Sequence, residues 1–426
     1  MKRAVAVASV VALLAGAGTA SGQTIAITNA RIHTMAGPVI ERGTVVIRDG
    51  YIAAVGAGVE VPAGARIIDA AGKVVTPGFI DSGTQLGLVE VGAVQGTVDS
   101  RVRDDRITAA FNPADGLDPQ SSPVAVTRAE GITRAIVAPS PGASLIAGQA
   151  VLVDLGAETP MEMVRKSPAG MVAVLGERGS QLSGGARAAA ILRLREVFED
   201  VRDYMVNRRA FETASRREYS LSRLDLEALV PVARGEVPLI LEVHRSSDIL
   251  VALGLAKELR VRLVLAGVTE GWMVADEIAA AGVPVVINPL VNLPNSFQEL
   301  GATLENAARL HAAGVTVAFA SFDAHNSRNL KQAAGNAVAY GMPHDAALRA
   351  ITVDAARVWG VDDRYGTIEV GKEADVVVWS GDPLELTTSV EHVIIRGREV
   401  STDNRQKRLF ERYRHIGGPM PTAYSN

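Results

Sequence analysis

Val74-Val75-Thr76-Pro77-Gly78-Phe79-Ile80, followed at once by Asp81-Ser82-Gly83-Thr84-Gln85, is the stretch on which the fold turns. An apolar run of strand length that ends in small and polar residues suits a buried strand of a parallel sheet. Outward from it the pattern repeats. Thr133–Ala138, Met171–Leu175, Pro238–Val243, Arg262–Ala266, Val283–Ile287 and Val315–Ala320 read as further strands. Helical stretches rich in Ala, Leu and Arg, notably Ala186–Arg209 and Leu224–Arg234, separate several of them. With an eighth strand placed near Ala150–Asp154, the alternation predicts an α/β chain: a TIM-like (β/α)8 barrel over residues 76–358. Such a barrel carries its chemistry at the C-terminal ends of its strands.

The flanks read differently. From Thr24 to about residue 75 the pattern is short strands and turns, with Asp49-Gly50 as a two-residue hairpin signal between Thr44–Arg48 and Tyr51–Val55. A matching β-rich segment, residues 359–400, holds the turn Gly366–Gly371 and the strands Asp375–Trp379 and Val390–Arg396. The two segments predict one small β domain built from both ends of the chain. Residues 401–426 form an Arg-containing tail. Residues 1–22 have the layout of a secretory signal: Lys2 and Arg3, an apolar stretch Ala4–Ala15, then small residues up to Gly22. That stretch is too short to span a bilayer about 30 Å thick, so export to the periplasm or beyond, without stable membrane insertion, is the expectation.

Composition narrows the chemistry. The 426 residues are 48% hydrophobic, enough to build a large core. Zero cysteine excludes disulfides, thiolate metal sites and a cysteine nucleophile. A net charge of −4 gives no footing for nucleic acid. Gly366 to Lys372 has the spacing of a phosphate loop, but Glu373 stands where Ser or Thr is required, and a strand follows. There is no Gly-x-Ser-x-Gly nucleophile elbow.

Gly72 through Asp81 resembles the signature that enters the first barrel strand of the amidohydrolase superfamily, and Gly366 through Asp375 resembles its return to a β-sandwich. Gly131-Ile132-Thr133-Arg134, Ile146-Ala147-Gly148-Gln149 and Ala324 through Leu330 are similar to the imidazolonepropionase-like branch. The resemblance covers about residues 24–400. It implies a barrel with a composite β-sandwich, residues 24–75 and 359–400, and hydrolysis of non-peptide C–N bonds with one or two divalent metals. The ligands it implies are a His-x-His pair ending strand one, a carboxylate ending strand four, imidazoles on strands five and six, and an Asp after strand eight.

This chain departs from that pattern. The paired histidine positions hold Gly83 and Gln85, and the strand-six segment Leu263–Glu270 has no histidine. A neutral amide is a poor transition-metal ligand beside imidazole. Glu177, His244 and Asp323 survive as candidates for a single metal, zinc leading, with Asp323 also taking the proton from water. Thr84, Gln85, His325 and Asn326 are the candidate pocket residues. Two readings stay open. One is a hydrolase with a reduced metal site, acting on a cyclic amide, amide or dipeptide-like compound. The other is a catalytically silent barrel, without metal, that binds a small molecule or pairs with a copy of itself or an active relative. Each candidate also has a bland reading: His244 as a strand-end cap, Glu177 as a surface ion pair, Asp323 as a turn cap.

Overall fold

The chain changes sheets between Val74 and Thr84. In the computed structural model, which describes residues 23–213, 215 and 217–414, Val74–Pro77 pairs with Ile25–Ile32 and Val376–Trp379. Phe79–Thr84 pairs instead with Ile132–Val137. The single strand expected over Val74–Ile80 is thus two strands of different sheets, hinged at Gly78. A Cβ on Gly78 would lie 2.2 Å from Thr133 Oγ1, so only glycine fits against the Thr133 side chain there. The indole of Trp379 stacks on Phe79 with ring centroids 4.9 Å apart and donates Nε1–H to Thr76 Oγ1. The two sheets are pinned together there.

The smaller sheet has eight strands drawn from both ends of the chain: Ile25–Ile32, Ile40–Arg48, Tyr51–Gly56, Arg66–Asp69, Val74–Pro77, Val376–Trp379, Val390–Ile395 and Arg398–Glu399. The Asp49-Gly50 turn has positive φ at both residues, the geometry that matches the twist of a two-residue hairpin. Ile25, Ile27, Val45, Ile68, Val376 and Ile394 share one apolar cluster, which makes the N- and C-terminal segments a single β-sandwich-type unit.

The larger sheet also has eight strands in sequence order: Phe79–Thr84, Ile132–Val137, Ile146–Asp154, Val164–Val174, Leu239–Val243, Leu263–Gly267, Val285–Ile287 and Val317–Phe319. The last returns beside the first, and Phe322 N–H donates to Gly83 O at 2.8 Å. The fold is a TIM-like barrel with one departure from strict (β/α)8 alternation. Strand three, expected near Ala150–Asp154, runs antiparallel to both neighbours. Only residues 138–145 link it to strand two, too few for the crossover a parallel partner needs. Ile80, Ile136, Val172, Ile240, Val264 and Val286 share one apolar cluster with Trp359 inside the barrel.

Buried charge joins barrel and sandwich. Arg134, fully buried on strand two, donates Nε–H to Asp375 Oδ2 at 2.6 Å and Nη2–H to Asp375 Oδ1 at 3.0 Å. Its Nη1 also meets Asp154 Oδ2 at 2.7 Å, an ion contact off hydrogen-bond alignment. The guanidinium lies 4.5 Å from the centroid of the Tyr365 ring. Burial works against its charge, but Asp375 and Asp154 hold its pKa above the ordinary arginine value. Among the described residues no helix is long and apolar enough to cross a membrane. The expected leader, residues 1–22, and the tail beyond residue 414 lie outside the described residues. Within the tail, Arg405–Tyr413 is helical.

Candidate functional site

A cavity of about 380 Å³ opens at the C-terminal ends of the barrel strands. Thr84 and Gln85 line it together with Ser82, Gly83 and Ser140. Gln85 donates Nε2–H to Ser140 Oγ at 2.6 Å, which leaves its amide oxygen free to accept. A larger open groove of about 1090 Å³ lies at the opposite end, beside Arg262, Thr316 and Gly360. Barrel chemistry is built at the strand C-termini, so the smaller cavity is the site.

His244, directly after strand five, is the one expected metal ligand that reaches this cavity. Its Nδ1 hydrogen-bonds Thr269 Oγ1 at 2.8 Å. Two carboxylates flank the ring: Glu299 Oε1 is 3.5 Å from Nδ1, and Glu242 Oε1 is 3.6 Å from Nε2. Both line the cavity, and sequence reasoning missed both. Glu242 had a signal, since Glu242-x-His244 puts two polar side chains on one face of a strand. Glu299 had none, coming from a short 3-10 helix, Phe297–Glu299, in the loop after strand seven.

Glu177 and Asp323 are not brought to His244, which corrects the expected ligand set. Gly176 has φ +64°, and the side chain of Gln298 fills the space a Cβ would need there. That turn starts the helix Gly176–Gln181 and leaves Glu177 beside Arg187, 3.8 Å away, instead of in the cavity. Phe322 takes φ +53°, so the chain leaves strand eight sharply. Asp323 Oδ1 then accepts the backbone N–H groups of His325 at 2.6 Å and Asn326 at 2.8 Å. Asp323 is a turn cap. Neither His325 nor Asn326 lines the cavity, a second correction.

Asp81 closes the strand-one end from within. Fully buried, it accepts from Gly83 N at 3.1 Å, Ser321 N at 3.1 Å, Ser321 Oγ at 2.6 Å and Ser327 Oγ at 2.9 Å. Burial pushes its carboxyl up to about 6, against the pull of those four hydrogen bonds. Thr84 joins the same network through Ser327 Oγ at 2.6 Å.

Two glycines that line the cavity at strand ends are closely backed by side chains. A Cβ on Gly83 would meet the Phe322 ring at 3.1 Å and Ala320 Cβ at 3.2 Å. At the end of strand six, a Cβ on Gly267 would sit 2.6 Å from the His244 ring. Among the described residues no three His, Cys, Asp or Glu side chains are grouped to hold a metal. Of the other described histidines, His344 pairs with Asp382 and His392 with Glu399, both away from the cavity.

Comparison with known proteins agrees with the architecture. The model of the amidohydrolase family matches residues 232–400. An amidohydrolase from Thermotoga maritima MSB8 superposes with a TM-score of 0.82 at 29% identity, over 88% of this chain and 99% of that one. The chain matches the amidohydrolase superfamily in sequence and in fold. Within it, the imidazolonepropionase of Maricaulis maris is 26% identical over 430 residues, covering 87% of this chain and 97% of that protein. Amidohydrolase tasK of Hapsidospora irregularis is 25% identical over 394 residues, 84% of this chain but only 39% of its own length. Superfamily members act on C–N bonds and generally use a divalent metal such as zinc. The expected ligand set does not fit that group: of its three residues only His244 lines the cavity, while Glu177 lies beside Arg187 and Asp323 caps a turn.

Proposed function

We propose that this protein is an amidohydrolase-superfamily barrel turned from metal-assisted hydrolysis to metal-free binding of a small molecule, working as a partner subunit. One observation carries the reading. Phe322 and Ala320 lie where a Cβ on Gly83 would need room, and the His244 ring lies where one on Gly267 would, so ligating side chains at either position would be crowded. Removing even the residues that orient metal ligands costs roughly 10–100-fold in affinity or activity, and here the ligands themselves are replaced. Most of the tasK relative lies outside the match, so there this barrel is joined to further chain, in keeping with a partner role. Export by the N-terminal segment belongs to the same proposal.

The second reading is C–N hydrolysis of a cyclic amide, amide or dipeptide-like compound. Superfamily membership and the placing of Glu242, His244 and Glu299 on one cavity favour it. The test is turnover of such compounds after zinc or manganese supplementation, with and without a chelator. The proposal expects no chelator-sensitive turnover; turnover that a chelator abolishes and metal restores overturns it.

A further inference from the structure

The cavity does not stop at the mouth. Ile136, Val172 and Ile240 form an apolar wall below Glu242 and His244, and Trp359 and Ser82 also line the space. Ile240 and Trp359 belong to the apolar cluster inside the barrel, so this is a shaft along the barrel axis. Trp359 is 1% exposed and Ser82 2% exposed, yet neither Trp359 Nε1 nor Ser82 Oγ has a hydrogen-bond partner among the described residues. Buried polar groups are almost always satisfied, so two orphans on one cavity mark where an acceptor belongs. The charge at the top has the opposite bias. Glu242, Glu299 and the amide oxygen of Gln85 all accept beside the His244 ring, and among the described residues no lysine or arginine lines the cavity.

We propose that the shaft binds a small organic cation with a polar far end. Its ammonium group meets the Glu242 carboxylate beside His244, its apolar body lies against Ile136, Val172 and Ile240, and a terminal hydroxyl or carbonyl meets Trp359 Nε1 and Ser82 Oγ. A charge-assisted hydrogen bond to a carboxylate supplies the strongest contact, and the apolar wall sets the length of the body. The idea rests on the reading of a metal-free mouth, because a metal and its ligands would compete for the same space.

The test is isothermal titration of the full chain with 6-amino-1-hexanol and with hexylamine, in chelator. The amino alcohol is expected to bind more tightly than hexylamine. Glu242→Gln weakens both by about tenfold. Ser82→Ala weakens the amino alcohol by about three- to tenfold and leaves hexylamine unchanged. Thermal melts confirm that both variants fold. No binding of either amine to the folded wild-type protein at millimolar concentration overturns the proposal, as does binding that neither variant alters. Chelator-sensitive hydrolysis alongside intact amine binding would sink the proposed function alone, so the two failures are distinguishable.

Discussion

The imidazole of His244 occupies the space that a side chain on Gly267 would need. A Cβ there would lie 2.6 Å from ring Cε1 and 3.0 Å from each ring nitrogen. The backbone is adapted to this contact: Gly267 takes φ +84°, and the β-branched Val268 after it takes φ +47°, a rare conformation for such a residue. Strand six therefore ends as a platform for the strand-five histidine. Gly267→Ala combines a left-handed alanine with a steric clash, and a loss of about 2–4 kcal/mol is expected in denaturant unfolding. A loss under about 0.5 kcal/mol would show that the imidazole moves aside freely.

A His-x-His pair introduced at the end of strand one should not create a metal site. Gly83→His with Gln85→His places a side chain against the Phe322 ring and Ala320. Overpacking of this kind costs about 1–3 kcal/mol. The double variant is expected to melt below wild type, with part of the loss recovered when Phe322→Ala is added. An unchanged melting temperature in the double variant would mean that the cradle is open.

Asp81 makes stability depend on pH in a direction opposite to the usual carboxylate. Its folded value of about 6 lies above the ordinary 3.8, chiefly through burial. The native state therefore holds this proton more tightly than the unfolded chain. Its contribution is greatest below pH 4 and is lost as the pH rises through 6, by an amount on the order of 3 kcal/mol. Asp81→Asn can still accept from Gly83 and Ser321 N–H groups and does not titrate. Unfolding free energies at pH 4 and pH 7 should show wild type losing ground to the variant between the two; a pH-independent difference would contradict this.

Arg134 and Asp375 lie 241 residues apart and hold the sandwich on the barrel through paired hydrogen bonds. Arg134→Met would leave Asp154 and Asp375 buried with less compensation, at an expected cost of about 3–5 kcal/mol. Arg134→Lys keeps the charge but cannot fork onto Asp375, so an intermediate loss is expected. Thermal unfolding of the three proteins gives the order; equal stability for all would remove the network from the account.

The barrel was legible because its strands are apolar runs of the right length, and the motifs around Arg134 and Asp375 are the two sides of one ion pair. Strand three was placed correctly in sequence but not in direction, because direction depends on the short link 138–145 and not on apolar content. Gly78 hid the change of sheet inside an unbroken apolar run. At the site, Gly83 and Gln85 lie on the cavity at the end of strand one, where barrel geometry puts that strand's last residues. Glu177 and Asp323 misled, because a positive φ at Gly176 and at Phe322 turned each away from the axis. Residue type alone does not reveal such a turn at phenylalanine. Glu299 came from a distant loop, and no local pattern could join it to His244.

Metal content tests the central claim most directly. The chain, purified from zinc- and manganese-supplemented culture and desalted, would be measured by mass spectrometry of its elements beside His244→Ala. Less than about 0.1 metal per chain in both proteins is the expected result. One or two tightly held equivalents that disappear in His244→Ala would contradict the account.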